Sequence, residues 1–139
     1  LNGVEKYPMQ QVCLSYLRRL EDISALTRCG HTLRALSIEA CGKISDFSCL
    51  YHLTNLEHLM LLGSNHLPSL SFLRKMPKLK TFVFSLEVDD GDLTPCLDIP
   101  YASCSKINSL ILRLTITSLR VPAELILRLF AHVDVSFSL

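Results

Sequence analysis

The chain carries no surplus of charge of either sign, no apolar run long enough to cross a bilayer, and no motif that cradles a phosphate or activates a nucleophile. Its 14 Lys and Arg stand against 13 Asp and Glu, a net charge of +1. No long-range field therefore draws nucleic acid or an anionic membrane, and neither is expected as a partner. Arg113, Arg120 and Arg128 interrupt the greasy C-terminal part, short of the ~18 uninterrupted apolar residues that a membrane helix needs. A Gly-x-Ser-x-Gly elbow and a glycine-rich phosphate loop are both missing, so no enzyme, catalytic residue or cofactor is expected. Leu1 is followed by neither a basic leader nor an apolar segment, so no signal peptide is read.

What is present is a core and a repeat. Of 139 residues, 49% are hydrophobic and only 19% charged, which suits one packed domain spanning 1–139. Leu33, Leu36, Ile38, Cys41, Ile44, Phe47, Leu50 and Leu53 recur at a constant step as Leu56, Leu59, Leu61, Ser64, Leu67, Leu70, Leu73 and Met76. An earlier copy, upstream by one position more than that step, runs Met9, Val12, Leu14, Leu17, Leu20, Ile23, Leu26 and Cys29. A period of about 23 residues marks a stacked repeat architecture, because one unit cannot hide its own apolar edge.

Within each unit the first positions alternate, as in Leu36, Ser37, Ile38 and Leu59, Met60, Leu61, predicting a short strand with one face buried. Apolar residues then come every third position, as in Ile44, Phe47, Leu50 and Leu53, predicting a 3-10-like return. Gly42 and Gly63 fall just past the strands, and Pro68 and Pro77 in the returns, where turns are needed and no ladder hydrogen bond is lost. The repeats are placed near 9–32, 33–55, 56–78 and 79–86, the last beginning with Leu79, Phe82 and Phe84. Acid, Gly and Pro then replace the apolar template, so 87–106 is read as an inserted loop. From Ile107 the pattern resumes, and 107–139 is either degenerate repeats or a C-terminal cap, with Pro122, Ala123 and Glu124 as a helix start in the second case.

Leu33, Leu36, Ile38 and Leu56, Leu59, Leu61 resemble the LxxLxLxxN/C-x-L signature of leucine-rich repeat proteins. The short returns are most similar to the 22-to-23-residue subclass of bacterial internalin-like proteins and a eukaryotic phosphatase regulator. The resemblance implies an α/β solenoid, a curved horseshoe with a parallel β-sheet on the concave face and short 3-10 turns on the convex face. The subclass places Asn at a ladder position that satisfies turn backbone, where this chain has Leu17, Cys41, Ser64, Glu87, Thr115 and Ser138. Leu17 cannot bond in this way, so the first unit is expected to be irregular. Cys41 is as in cysteine-containing relatives, and Asn65 stands one position late.

Six cysteines raise the question of bridges, but Cys29 and Cys41 fall on inward template positions, where a free thiol acts as a small apolar group. A reducing, soluble compartment follows, with the cytoplasm the expected location. Cys29 with His31, and Cys49 with His52, have zinc-like spacing. Cys29 is expected inward and Cys49 outward, so the pairs should not converge and no metal is expected. The acidic stretch Glu87, Asp89, Asp90 and Asp92 reads as a solvated loop, with a hard-cation site as the lesser alternative. The basic run from Arg74 to Lys80 reads as a wet rim, and His58 as a surface histidine.

Strand residues alternating with the buried ones should align in columns on the concave face. These are Gln11, Ala35, His58 and Thr81; then Cys13, Ser37, Met60 and Val83; then Ser15, Glu39, Leu62 and Ser85. Little charge and the apolar Met60, Leu62 and Val83 make this face the expected contact surface for a protein or peptide. The leading expectation is a non-enzymatic interaction module. The alternative is a scaffold segment of a longer repeat protein, with Leu1, Val4 and Pro8 read as the tail of a preceding return.

Overall fold

A computed structural model describes Gly3 and residues 7–104. Expectations for 107–139, and those for Leu1 and Val4, lie outside the described residues. Seven strands are present among them: β1 Gln11–Ser15, β2 Ala35–Glu39, β3 His58–Leu62, β4 His66–Leu67, β5 Thr81–Phe84, β6 Glu87–Val88 and β7 Tyr101–Cys104. Four 3-10 segments alternate with them, Ser24–Cys29, Ser48–His52, Ser71–Lys75 and Thr94–Asp98. Strands β1, β2, β3, β5 and β7 form one open parallel sheet in that order, and β4 pairs with β6 beside it.

The register turns the sequence period into columns. Gln11, Ala35, His58, Thr81 and Tyr101 stand side by side, each step near the common period except the last, which is shorter. One position on, Val12, Leu36, Leu59 and Phe82 are buried in a row, and two further on Leu14, Ile38, Leu61, Phe84 and Cys104 make another. Behind the sheet, the threefold spacing lines up Ile23, Phe47, Leu70 and Leu93, then Leu26, Leu50, Leu73 and Cys96, then Cys29, Leu53, Met76 and Ile99, all buried. A fully buried side chain of this size contributes roughly 1.5–3 kcal/mol. Phe82 and Phe84 stack with centroids 4.8 Å apart, and Phe72 meets Phe82 edge-on at 6.4 Å.

Each 3-10 segment starts on a side-chain oxygen two residues upstream. Asp22 Oδ1 accepts from the Ser24 amide at 2.8 Å, Asp46 Oδ1 from Ser48 at 2.8 Å, Ser69 Oγ from Ser71 at 3.2 Å and Asp92 Oδ1 from Thr94 at 2.9 Å. Short polar side chains at this spacing hold a turn that would otherwise leave its first amide to water. The Asp22 carboxyl is held below its ordinary range by the Ser24 side chain and then its amide, and that of Asp46 by the Ser48 amide and then its side chain.

Residues 87–104 correct the expected insertion. Glu87 and Val88 pair with His66 and Leu67, Thr94–Asp98 repeats the return, and Tyr101–Cys104 adds to the sheet beside β5. The unit is short because Ile99 leads through Pro100 straight into β7, where Met76 is followed by Pro77, Lys78, Leu79 and Lys80 before β5. Buried Ile99 stands where Met76 stands after the 3-10 segment and, two residues before the strand, where Leu79 stands, so one residue takes both inward places and a template of constant period loses the strand.

Two expected orientations also change. Leu17, set on the template, is 42% exposed, in keeping with an irregular first unit. Cys49, expected outward, is buried, as is Phe72 at the same place in the next unit. A 3-10 turn packed between neighbours buries this intermediate position as well as every third one.

The turn beyond the strands is closed by different chemistry in each unit. Asn65 is buried and donates through Nδ2 to the Cys41 carbonyl at 3.1 Å and the Ile44 carbonyl at 2.7 Å. The ladder amide is thus Asn65, and Ser64 is exposed. Cys41 Sγ makes longer contacts, 3.4 Å to the Leu14 carbonyl. Ala40 takes a left-handed φ of 51° immediately past β2, two residues before Gly42. Gly30 is required by close approach: a Cβ there would collide with the His52 carbonyl oxygen of the next unit.

Candidate functional site

The candidate site is the face of the parallel sheet opposite the core. Pleating sends alternate side chains there, and the register stacks them. Gln11, His58 and Met60 are exposed, whereas Ala35, Ser37, Glu39, Leu62, Thr81 and Val83 are half-buried. Met60, 37% exposed, is flanked in its column by Ser37 and Val83. The columns stand in the order read from the sequence, with one subtraction and two additions.

Ser85 is the subtraction. It is 8% exposed, and its hydroxyl accepts from the Gly63 amide at 2.9 Å and lies 3.3 Å from the Gly63 carbonyl. The strand ends at Phe84 and the chain turns inward, so Ser85 serves the turn rather than the face. Tyr101 and Ser103 are the additions, extending the first two columns beside Thr81 and Val83. The loop reading of 87–106 conceals them in the sequence.

Among the described members of the three columns, Glu39 is the only carboxylate, and no lysine or arginine stands with it. It lies between Ser15 and Leu62 in register, and the Tyr16 hydroxyl donates to Oε1 at 3.3 Å. The opposite end of the strands is bordered by an ion-paired row. Arg34 Nη1 and Lys80 Nζ each lie 2.6 Å from a separate oxygen of Glu57. The hydrogen bond from Lys80, then that from Arg34, holds the Glu57 carboxyl down to about 2. Lys78 Nζ donates to Asn55 Oδ1 at 2.6 Å, and Asn55 Nδ2 donates to the His31 carbonyl at 3.0 Å.

The other candidate chemistry disperses. Cys29 and Cys49 are buried while His31 and His52 are exposed, so the zinc-like pairs diverge. Burial pushes the Cys49 and Cys96 thiols up to about 12. The acidic residues are occupied locally: Asp89 lies 3.0 Å from His66 Nδ1, Glu87 3.8 Å from His66 Nε2, and Asp90 Oδ1 accepts from the Asp92 amide at 2.9 Å. Among the described residues no cluster of three or more His, Cys, Asp or Glu is arranged to hold a metal ion. No helix among them is long and apolar enough to cross a membrane. In the basic run, Arg74, Lys75, Lys78 and Lys80 are exposed around buried Met76 and Leu79. No protein-family model matches the chain, and no curated protein is found to be similar to it.

Proposed function

We propose that the chain is a leucine-rich repeat solenoid of the short, internalin-like kind, curved with its parallel sheet on the concave side. In this reading it is a non-enzymatic module that binds a protein or peptide across that sheet. The supporting observation is Met60, exposed at the middle of the sheet beside half-buried Leu62 and Val83. Apolar groups within a rim of polar ones are what a partner can desolvate at a net gain. Gln11, Ser37, Glu39, His58 and Thr81 would supply polar specificity around that centre. Six unbridged thiols, five of them buried, support a reducing compartment such as the cytoplasm.

The test is the double substitution Met60→Glu with Leu62→Lys, with folding checked by circular dichroism. A partner isolated with the wild-type protein should lose at least tenfold in affinity. Unchanged affinity in a folded double variant would contradict the proposal.

A further inference from the structure

The sheet face carries a carboxylate whose setting differs from that of most acidic side chains among the described residues. Glu21 pairs with Lys43 at 3.1 Å, Glu57 with Arg34 and Lys80, Asp89 with His66, and Asp22, Asp46 and Asp92 hold turn amides. Among the described residues, the half-buried Glu39 carboxylate meets only the Tyr16 hydroxyl and has no cation within ion-pair distance. A carboxylate that has lost part of its water without gaining a counter-charge favours an incoming ammonium or guanidinium group. In β2, Ser37 is two residues from Glu39 on the same face, and it is in register with Met60. Glu39 itself is in register with Leu62.

We infer that the ligand of this face is a peptide segment that presents a lysine or arginine to Glu39 beside an aliphatic or aromatic side chain packed on Met60, Leu62 and Val83. The inference rests on the proposed binding face and adds its charge preference. The Tyr16 hydroxyl fixes one carboxylate oxygen and leaves the other to the incoming cation. Because neighbouring strands lie ~4.8 Å apart, both contacts fall within one short ligand segment.

The probe is a random heptapeptide library displayed on phage and panned on the wild-type protein, with enriched peptides synthesised for titration. Enriched peptides should contain Lys or Arg next to an apolar residue. Glu39→Gln, which keeps the side chain's shape, should weaken them about tenfold, as should replacing that basic residue by Gln. The two changes together should cost little more than either alone, and Glu39→Lys should instead enrich acidic peptides. Glu21→Gln, a carboxylate outside the columns, should leave affinity unchanged. Peptides blocked by the Met60 and Leu62 substitutions but indifferent to Glu39→Gln would overturn this inference and leave the binding face standing. Enriched peptides indifferent to all three positions would overturn both.

Discussion

The unit that runs from His58 to Thr81 is longer than the one that runs from Thr81 to Tyr101, yet both join neighbouring strands of the same parallel sheet. After β3 the turn is held by a buried amide, Asn65, bonded to the preceding unit. After β5 the pairing of His66 with Glu87 puts Leu86, also buried, in the place of Asn65, and Ser85 bonds the backbone of Gly63 instead. The inward columns are common to both units, while length and turn chemistry vary. Packing of the columns therefore carries the repeat, and the polar device that closes each turn varies: Asn65 reaches the Cys41 and Ile44 carbonyls, whereas Ser85 reaches the Gly63 amide and carbonyl.

The largest expected effect tests the columns. Phe82→Ala should lower unfolding free energy by roughly 3–5 kcal/mol, read from denaturant midpoints, because the side chain is fully buried against Phe72 and Phe84. Asn65→Ala comes next, at about 1–3 kcal/mol, since two carbonyls lose their donor in a buried setting. Leu86→Asn, its mirror in the shortened unit, should also destabilise, because the new amide enters an apolar site. If that exchange stabilised the protein, the two turns would be more alike than their partners indicate. Gly30→Ala should cost roughly 1–3 kcal/mol through collision with the His52 carbonyl.

Smaller effects follow from charge and thiol chemistry. Asp22, Asp46 and Glu57 all have carboxyls held below their ordinary range in the folded chain. Their stabilisation is complete above the unfolded carboxyl range near ~4 and is lost as pH falls toward the folded values, about 2 for Glu57. Thermal midpoints should accordingly decline between about pH 5 and 2, and Glu57→Gln should flatten part of that decline. With a thiol reagent at neutral pH, exposed Cys13 should react rapidly and the five buried cysteines only on unfolding.

How much of this is legible in the sequence depends on which force sets each residue. Columns built from hydrophobic burial, such as Leu36, Leu59 and Phe82, can be read directly because their spacing follows strand geometry. Cys49 escapes an every-third rule because that rule does not describe a 3-10 turn squeezed between neighbours, although the equivalent Phe72 points to a buried position. The shortened unit is obscured by counting: a return trimmed before β7 moves that strand off the template, and Pro and Asp look like loop composition. A second signal runs through it unbroken. Asp22 with Ser24, Asp46 with Ser48, Ser69 with Ser71 and Asp92 with Thr94 recur once in every unit. Together with Leu93, Cys96 and Ile99 at threefold spacing, that cap marks 87–104 as another unit. On the sheet face, column membership follows from alternation alone, whereas the burial of Ser85 depends on where β5 ends.

The most direct test is amide hydrogen exchange of the native chain, resolved to the residues of β5 and β7. The β5–β7 ladder and the bond from the Tyr101 amide to the Lys80 carbonyl, 3.0 Å long, predict slow exchange for Tyr101–Cys104, on the scale of Thr81–Phe84. Exchange of Tyr101–Cys104 at the rate of a free loop, with Thr81–Phe84 protected, would contradict the continuation of the sheet through the shortened unit.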